Sequence, residues 1–414
     1  MPRSRQLHYA WIIVALGFLS VLGAHGFGRF AYSLILRDMM LSLGLNYFQM
    51  GLIATANLIG YVTLATVGGA LASKYGSRLV ISLSALLMGV SMICIGLSNN
   101  FLQVLACSLV TGLGNGGVYL PAVALPSIWF AMKYRGRATG YVTAGIGMGF
   151  AIGGIAVPLI LKTYLAAGWR YAWFYLGSAL LAIGLVDYLF LRNRPEDLGL
   201  RPLGVEEGSA AAPSPSSSSS ALRWGLVYRS KEIWMVGLVY FMYGFSYIIY
   251  ITYFAAYLEE AFAWPKELIG LLWSTLGILS ISSGVTWGYV SDVIGRKYGI
   301  ALAYAVLSLS YLLYALALPP YGLYASAIIF GLAAWSVPTL AVVAAADYVS
   351  PELRSAAAGF VTLFFGIGQA VGPAVGGYIR DATGLFANAF YLASLVAFIG
   401  AVGALFLKKP TAQR

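Results

Sequence analysis

Long apolar runs alternate with short polar connections along almost the whole chain, and within each run the apolar residues are continuous. Twelve runs are readable, at 10–36, 47–72, 79–98, 101–124, 138–164, 170–191, 233–258, 268–290, 299–318, 321–346, 357–379 and 386–407. Each approaches or exceeds the ~20 residues that carry an α-helix across a hydrocarbon core. A membrane β-barrel is excluded, because its strands are ~10 residues long and alternate in polarity. The pattern predicts an all-α membrane protein with twelve transmembrane helices. No small-residue cleavage site follows the first run, which is therefore expected to be a retained helix and not a signal peptide.

Composition sharpens this. Of 414 residues, 60% are hydrophobic and 9% charged, against about 45–50% and a quarter in soluble domains. The formal charge of +11 would suit a nucleic-acid partner, but the basic residues sit in the connections between apolar runs. With the N-terminus inside, nineteen of the 25 Lys and Arg fall on the cytoplasmic side. Five (Arg37, Lys162, Arg170, Lys266 and Arg380) fall outside, and Arg29 is left within a span. That asymmetry predicts N-in/C-in topology. Cys94 and Cys107 lie in apolar runs and are expected to be buried free thiols.

One connection is long, and its Pro213–Ser220 stretch is low in complexity, as expected of a mobile linker. It divides an N-terminal six-helix bundle (1–191) from a C-terminal one (232–414), with 192–231 between them. Sliding the chain against itself by 219 residues brings Arg135, Gly140, Thr143, Gly147 and Gly149 onto Arg354, Gly359, Thr362, Gly366 and Gly368. The same shift brings Gly69 and Gly76 onto Gly288 and Gly295. Two separated blocks with one offset indicate a six-helix repeat, hence two pseudo-symmetric bundles of the same orientation.

The segment after the second span reads Gly69-Ala-Leu-Ala-Ser73-Lys74-Tyr-Gly76-Ser-Arg78, and that after the eighth reads Gly288-Tyr-Val-Ser-Asp292-Val-Ile-Gly295-Arg296-Lys297. Over essentially its whole length the chain resembles the major facilitator superfamily, whose signature this is. The resemblance implies a conformational latch formed by Gly69, Gly76, Arg78, Gly288, Asp292, Gly295 and Arg296. Ser73 replaces the aspartate of the first copy. His8-Tyr-Ala-Trp-Ile-Ile and Arg194-Pro-Glu-Asp-Leu-Gly-Leu-Arg-Pro202 further resemble bacterial monocarboxylate and oxalate/formate-type porters. Those porters commonly carry a carboxylate-binding arginine in the eighth span, whereas 268–290 here has no basic residue. Gly28-Arg29-Phe30-Ala31-Tyr32 resembles a poorly characterised branch of the same superfamily.

An ionisable group inside a span costs about 2.5–3.5 kcal/mol on insertion scales, which makes it a functional candidate. Asp187, near Arg192 and Arg194, and Asp347 lie close to helix ends and read as gate or anchoring groups. His25 and Arg29 lie ~3 Å and ~9 Å from the centre of the first span at 1.5 Å per residue. Spaced i, i+4, they share a helical face that Tyr32 and Ser33 continue. Gly26 and Gly28 would leave space beside that face. Two placements are open for Arg29: snorkelling to the outer headgroups with Arg37 and Asp38, or facing a central cavity to supply positive potential for an anion. No Asp or Glu occupies a mid-span position to neutralise it.

The resemblance implies that spans 1, 4, 7 and 10 line the cavity. That favours Asn115 and Tyr119, the stripe Tyr240, Tyr243, Tyr247 and Tyr250, and Trp335 with Thr339, over Asn57 and Gln369. Against this, aromatic stripes are commonly plain packing. Gly145, Gly149, Gly153 and Gly368, Gly372, Gly376 recur every four residues, as close helix contacts require. No phosphate loop, metal-ligand cluster or hydrolase motif occurs, so neither an enzyme nor a cofactor or metal is expected.

The reading that results is a secondary active transporter, monomeric and multi-pass in a bacterial inner membrane, moving a small organic anion such as a monocarboxylate by alternating access. His25, whose unperturbed pKa is ~6.5, is the candidate for proton coupling; the alternative is a proton carried on the substrate itself. Export of amphipathic drugs or metabolites, and a non-transporting membrane sensor of the same fold, are the rival readings.

Overall fold

The computed structural model describes residues 8–204, 225–318, 321–350 and 353–408; the Pro213–Ser220 stretch lies outside them. Apart from one isolated bridge between Phe130 and Leu203, the regular structure is helical. The long helices are α1 (Tyr9–Leu43), α2 (Tyr47–Tyr75), α3 (Ser77–Leu97), α4 (Phe101–Ala124), α5 (Met132–Tyr164) and α6 (Gly168–Phe190). They continue as α7 (Lys231–Phe262), α8 (Lys266–Ile294), α9 (Arg296–Leu316), α10 (Tyr321–Asp347), α11 (Arg354–Thr383) and α12 (Phe386–Leu405). Eleven apolar stretches are long enough to cross a membrane. One of them, the 59 residues of Met132–Phe190, would be ~90 Å long as a single helix, three times the ~30 Å hydrocarbon core. It is instead broken by the tight turn Leu165–Ala167 into α5 and α6.

Polar residues mark the helix starts. Asn46 accepts from the Gln49 N–H in a capping box, Asn100 caps through the Gln103 N–H, and Ser230 through the Ile233 N–H. Gly76 and Gly295, the repeat-related residues of the two signature segments, have φ/ψ of 88°/143° and 93°/149°. That positive φ suits glycine and strains any residue with a Cβ.

Three expectations are corrected here. The run 10–36 is not one regular α-helix, since α1 passes through a π-helix over Leu22–Phe30. Wider i→i+5 bonding is accommodated where Gly23, Gly26 and Gly28 crowd the sequence, and the Ala31 N–H reaches back to the Gly26 carbonyl at 2.9 Å. The run 321–346 is likewise interrupted, between Ala333 and Ser336. The connection after α6, whose Pro213–Ser220 stretch lies outside the described residues, begins with two bonds back to the helices: the Leu203 N–H donates to Trp129 O at 2.9 Å, and Asn193 Oδ1 accepts from the Arg78 N–H at 2.9 Å. Cys94 and Cys107 are free, as expected, but half-buried instead of buried.

Packing joins α2 to α4, α3 to α4 and α6, α7 to α11, and α9 to α12. Between α1–α6 and α7–α12 the broad contacts are α5 on α8 and α2 on α11. Glycines let backbones meet. A Cβ on Gly26 would lie 2.3 Å from Gly149 Cα, so Gly26 gives α1 its approach to α5 and leaves no open space; at Gly28 the side chain of Met88 fills the place. Gly145, Gly149, Gly368, Gly372 and Gly376 are contact positions, whereas Gly153 faces nothing within 4 Å.

The two ends of the molecule differ. At the end carrying residues 37–48 and 259–267, α1–α6 are tied to α7–α12. Arg37 pairs with Glu259 at 2.8 Å, Lys266 with Asp38, and Lys162 with Glu267 at 2.7 Å. Tyr47 donates to Glu260, which Arg380 also holds, and Asp381 accepts from the N–H groups of Tyr47 (3.3 Å) and Phe48 (2.8 Å) at the start of α2. At the opposite end every ion pair among the described residues is internal to α7–α12: Asp292 with Arg296 at 2.6 Å, Arg296 with Asp347 at 3.5 Å, and Lys408 with Glu232 at 3.4 Å. There a Cβ on Gly69, Gly140, Gly288 or Gly359 would meet nothing within 4 Å. Among the described residues, the ion pairs that join the two helix sets all lie at one end.

Candidate functional site

Midway along α1 the π-helix divides its polar side chains between the two helix sets. His25 and Arg29 both reach Tyr61 and so keep neighbouring directions across the π-helix, whereas Tyr32 is drawn to the Met50 carbonyl. His25, 4% exposed, lies against α4 and α2, its ring 4.3 Å from Tyr119 and 5.8 Å from Tyr61. Its Nδ1 is buried without a partner. Arg29 points across the molecule: its Nη2 donates to the Tyr247 hydroxyl at 2.9 Å and to Gln369 Oε1, and Tyr247 itself donates to that oxygen at 2.8 Å.

Arg29 therefore does not join Arg37 and Asp38 at the outer ion pairs. Aromatic faces carry its charge instead, with the guanidinium 5.0 Å from the Phe30 ring and 5.1 Å from Tyr61. No carboxylate lies within ion-pair distance of it among the described residues. Trp335 packs edge-on to Tyr247 at 6.3 Å and lies 6.2 Å from Phe30. Tyr243 stacks on Tyr247 at 4.8 Å, and its hydroxyl donates to Ala334 O at the break in α10. That break leaves carbonyls without helical partners, and Tyr243 satisfies one.

Other candidates are occupied elsewhere. Tyr250, expected to continue the stripe, turns into the α7–α12 core: its hydroxyl meets Ser326 Oγ at 2.9 Å and its ring packs on Phe330 at 4.6 Å. Tyr32 donates to Met50 O at 2.7 Å. Asn115 donates to Ala24 O at 2.8 Å, supporting the π-helix backbone, and keeps an unpaired Oδ1. Asp187 is not paired with Arg192 or Arg194; it is fully buried, and Ser20 Oγ lies 2.8 Å from its Oδ2. Arg192 donates instead to the carbonyls of Leu189 and Leu191.

Gln369 and Tyr61 enter the site although the sequence pointed elsewhere. For Gln369 a signal existed: one amide in a Gly-rich apolar run is a buried polar group that needs a partner. Of the latch positions, Arg296 bonds Asp292 and Ser291, and Arg78 Nε donates to Tyr188 O at 2.8 Å. Ser73 bonds only its own helix, at Gly69 O.

Residues 21–405 match the family described as "Uncharacterised MFS-type transporter YbfB". A probable sulfoacetate transporter of Cupriavidus necator is 26% identical over 88% of this chain and 86% of its own. A hexuronate transporter of Bacillus subtilis is 23% identical over 89% of this chain and 87% of its own. Among solved structures, a bacterial homologue of the human lysosomal transporter Spinster, inward-facing and unoccupied, superposes with a TM-score of 0.73. It is 15% identical and covers 98% of this chain and 96% of its own.

Proposed function

This chain belongs to the family of uncharacterised MFS-type transporters described by YbfB, and on that footing we propose that it carries a small organic anion, such as a monocarboxylate, by alternating access around Arg29. It is a multi-pass integral membrane protein, a transporter and not an enzyme. The observation that carries the anion reading is the Arg29 guanidinium. It is held between the two helix sets by Tyr247 and Gln369 and has no carboxylate to neutralise it among the described residues. A cation so placed is costly unless water or an arriving anion compensates it. Sulfoacetate and hexuronate, the cargo named for two relatives, are themselves small organic anions.

The proposed architecture is two pseudo-symmetric six-helix bundles, 1–191 and 232–414 with a linker at 192–231, both termini cytoplasmic. Its support is the paired contacts α2·α4 with α8·α10, α3·α6 with α9·α12, and α5·α8 with α11·α2. The matching backbone angles at Gly76 and Gly295 support it as well. In that topology the end without ion pairs between the helix sets faces the cytoplasm, and an inward-open state is proposed on that ground. His25, a turn from Arg29 on the same helix, is the proposed proton carrier for symport. Uptake of labelled carboxylates into proteoliposomes holding the purified protein tests the reading. Uptake that Arg29→Ala abolishes supports it; equal uptake by that variant and the parent removes it.

A further inference from the structure

A small cavity of about 30 Å³ lies against Arg29, lined by α1 (Arg29, Ser33), α2 (Asn57), α4 (Ser108), α6 (Trp173) and α7 (Ile248, Ile251, Thr252). Four polar atoms on its lining are buried without a hydrogen-bond partner: Arg29 Nε, Ser33 Oγ, Asn57 Oδ1 and Trp173 Nε1. Ser33 is 3% exposed and Trp173 2%. The Asn57 amide nitrogen donates to Ser108 O at 3.3 Å, which orients its oxygen as the free acceptor. Native interiors leave few such groups unpaired, and four around one cavity indicate an occupant.

The chemistry of the four describes that occupant. Arg29 Nε and Trp173 Nε1 only donate, Ser33 donates or accepts, and Asn57 Oδ1 only accepts. The Arg29 guanidinium with the Trp173 N–H beside it calls for an oxyanion, and the acceptor-only Asn57 Oδ1 calls for one neutral O–H. An ammonium would meet that acceptor too, but the guanidinium repels it. A simple fatty acid would leave Asn57 Oδ1 unpaired, and a neutral alcohol would leave the charge uncompensated. Since a water needs ~10–15 Å³ of such space, the cavity takes about two waters or the head of a small acid.

We infer that this cavity is a subsite for an α-hydroxycarboxylate, whose carboxylate accepts from Arg29, Trp173 and Ser33 while its hydroxyl donates to Asn57 Oδ1. The inference rests on the anion reading of Arg29 and narrows it to a substrate class.

The test compares glycolate, acetate and fluoroacetate on the intact purified protein, with affinities from calorimetry or ligand-induced thermal shift. Fluoroacetate keeps the size of glycolate but cannot donate. The expected result is glycolate bound at least tenfold more tightly than either, with Asn57→Leu bringing glycolate to the level of acetate. Equal affinity for all three, lost in Arg29→Ala, overturns the hydroxy-acid subsite, leaves the anion reading standing and assigns the cavity to water only. Absence of binding by all three overturns the subsite, and if Arg29→Ala also leaves transport unchanged, the anion reading falls with it.

Discussion

The Arg29 guanidinium donates to the Tyr247 hydroxyl at 2.9 Å across 218 residues of sequence, and this contact joins the π-helical middle of α1 to α7. It places a cation from one helix set on a tyrosine–glutamine pair of the other, where the proposed alternation of access would have α1–α6 and α7–α12 part. Tyr247 and Gln369 hold Nη2 while Nε is without a partner, so an anion meeting Nε would bind the same guanidinium that joins the two sets.

Arg29→Ala is therefore expected to weaken binding of a carboxylate substrate by roughly ten- to a hundredfold, the worth of a charged hydrogen bond of about 1.5–3 kcal/mol. Arg29→Lys keeps the charge but loses the planar fork and is expected to fall between. Calorimetric titration of both variants checks the order. Lys equal to the parent would mean that charge alone is recognised.

At the end where ion pairs join the two helix sets, Glu260 accepts from Tyr47 of the other set and pairs with Arg380 of its own. Glu260→Gln is expected to loosen that end and raise the population open to the outside. Labelling of a cysteine at Thr55, whose hydroxyl bonds Ala370 O at 2.6 Å in this state, from the external face reports it. An unchanged labelling rate would show that the remaining ties, such as Arg37–Glu259 and Lys266–Asp38, hold the end without Glu260.

The two signature segments are expected to differ in strength. Asp292 pairs with Arg296, whereas Ser73 bonds only a carbonyl of its own helix. Asp292→Asn should shift the conformational equilibrium more than Ser73→Ala, read by cysteine accessibility from the two sides of the membrane. Equal shifts would count against the asymmetry.

If His25 carries the coupled proton, His25→Gln should still exchange substrate across the membrane yet fail to accumulate it when the outside is acidified. Glutamine can still hydrogen-bond but cannot titrate. Accumulation equal to the parent would put the proton on the substrate.

Ser20 is the one hydroxyl that reaches the buried Asp187. Ser20→Ala should destabilise the protein by about 1–3 kcal/mol, because it strands a buried polar group. Asp187→Asn keeps a partner for Ser20 and should cost less. Thermal unfolding in one detergent compares the two, and the reverse order would show that the carboxyl has another partner.

Read from the sequence alone, the chain is a bundle of membrane helices with Arg29 as its outlying charge. Periodicity and charge placement are local properties, and a bilayer tolerates few solutions for twelve apolar runs. The repeat at 219 residues was legible for the same reason, because Gly76 and Gly295 answer to backbone angles that only a few residues on either side decide. What the sequence left open was direction. A 3.6-residue register put His25, Arg29, Tyr32 and Ser33 on one face and Tyr240 to Tyr250 on another. In the structure His25 lies on Tyr119 and Arg29 bonds Tyr247, with Tyr61 against both, and Tyr250 turns into the core. Asp187 was read with nearby arginines and proved to face Ser20 on another helix. Tertiary structure alone decided these placements, since a buried polar group takes the partner that packing brings within 3 Å, and that partner can lie 340 residues away, as Gln369 does from Arg29.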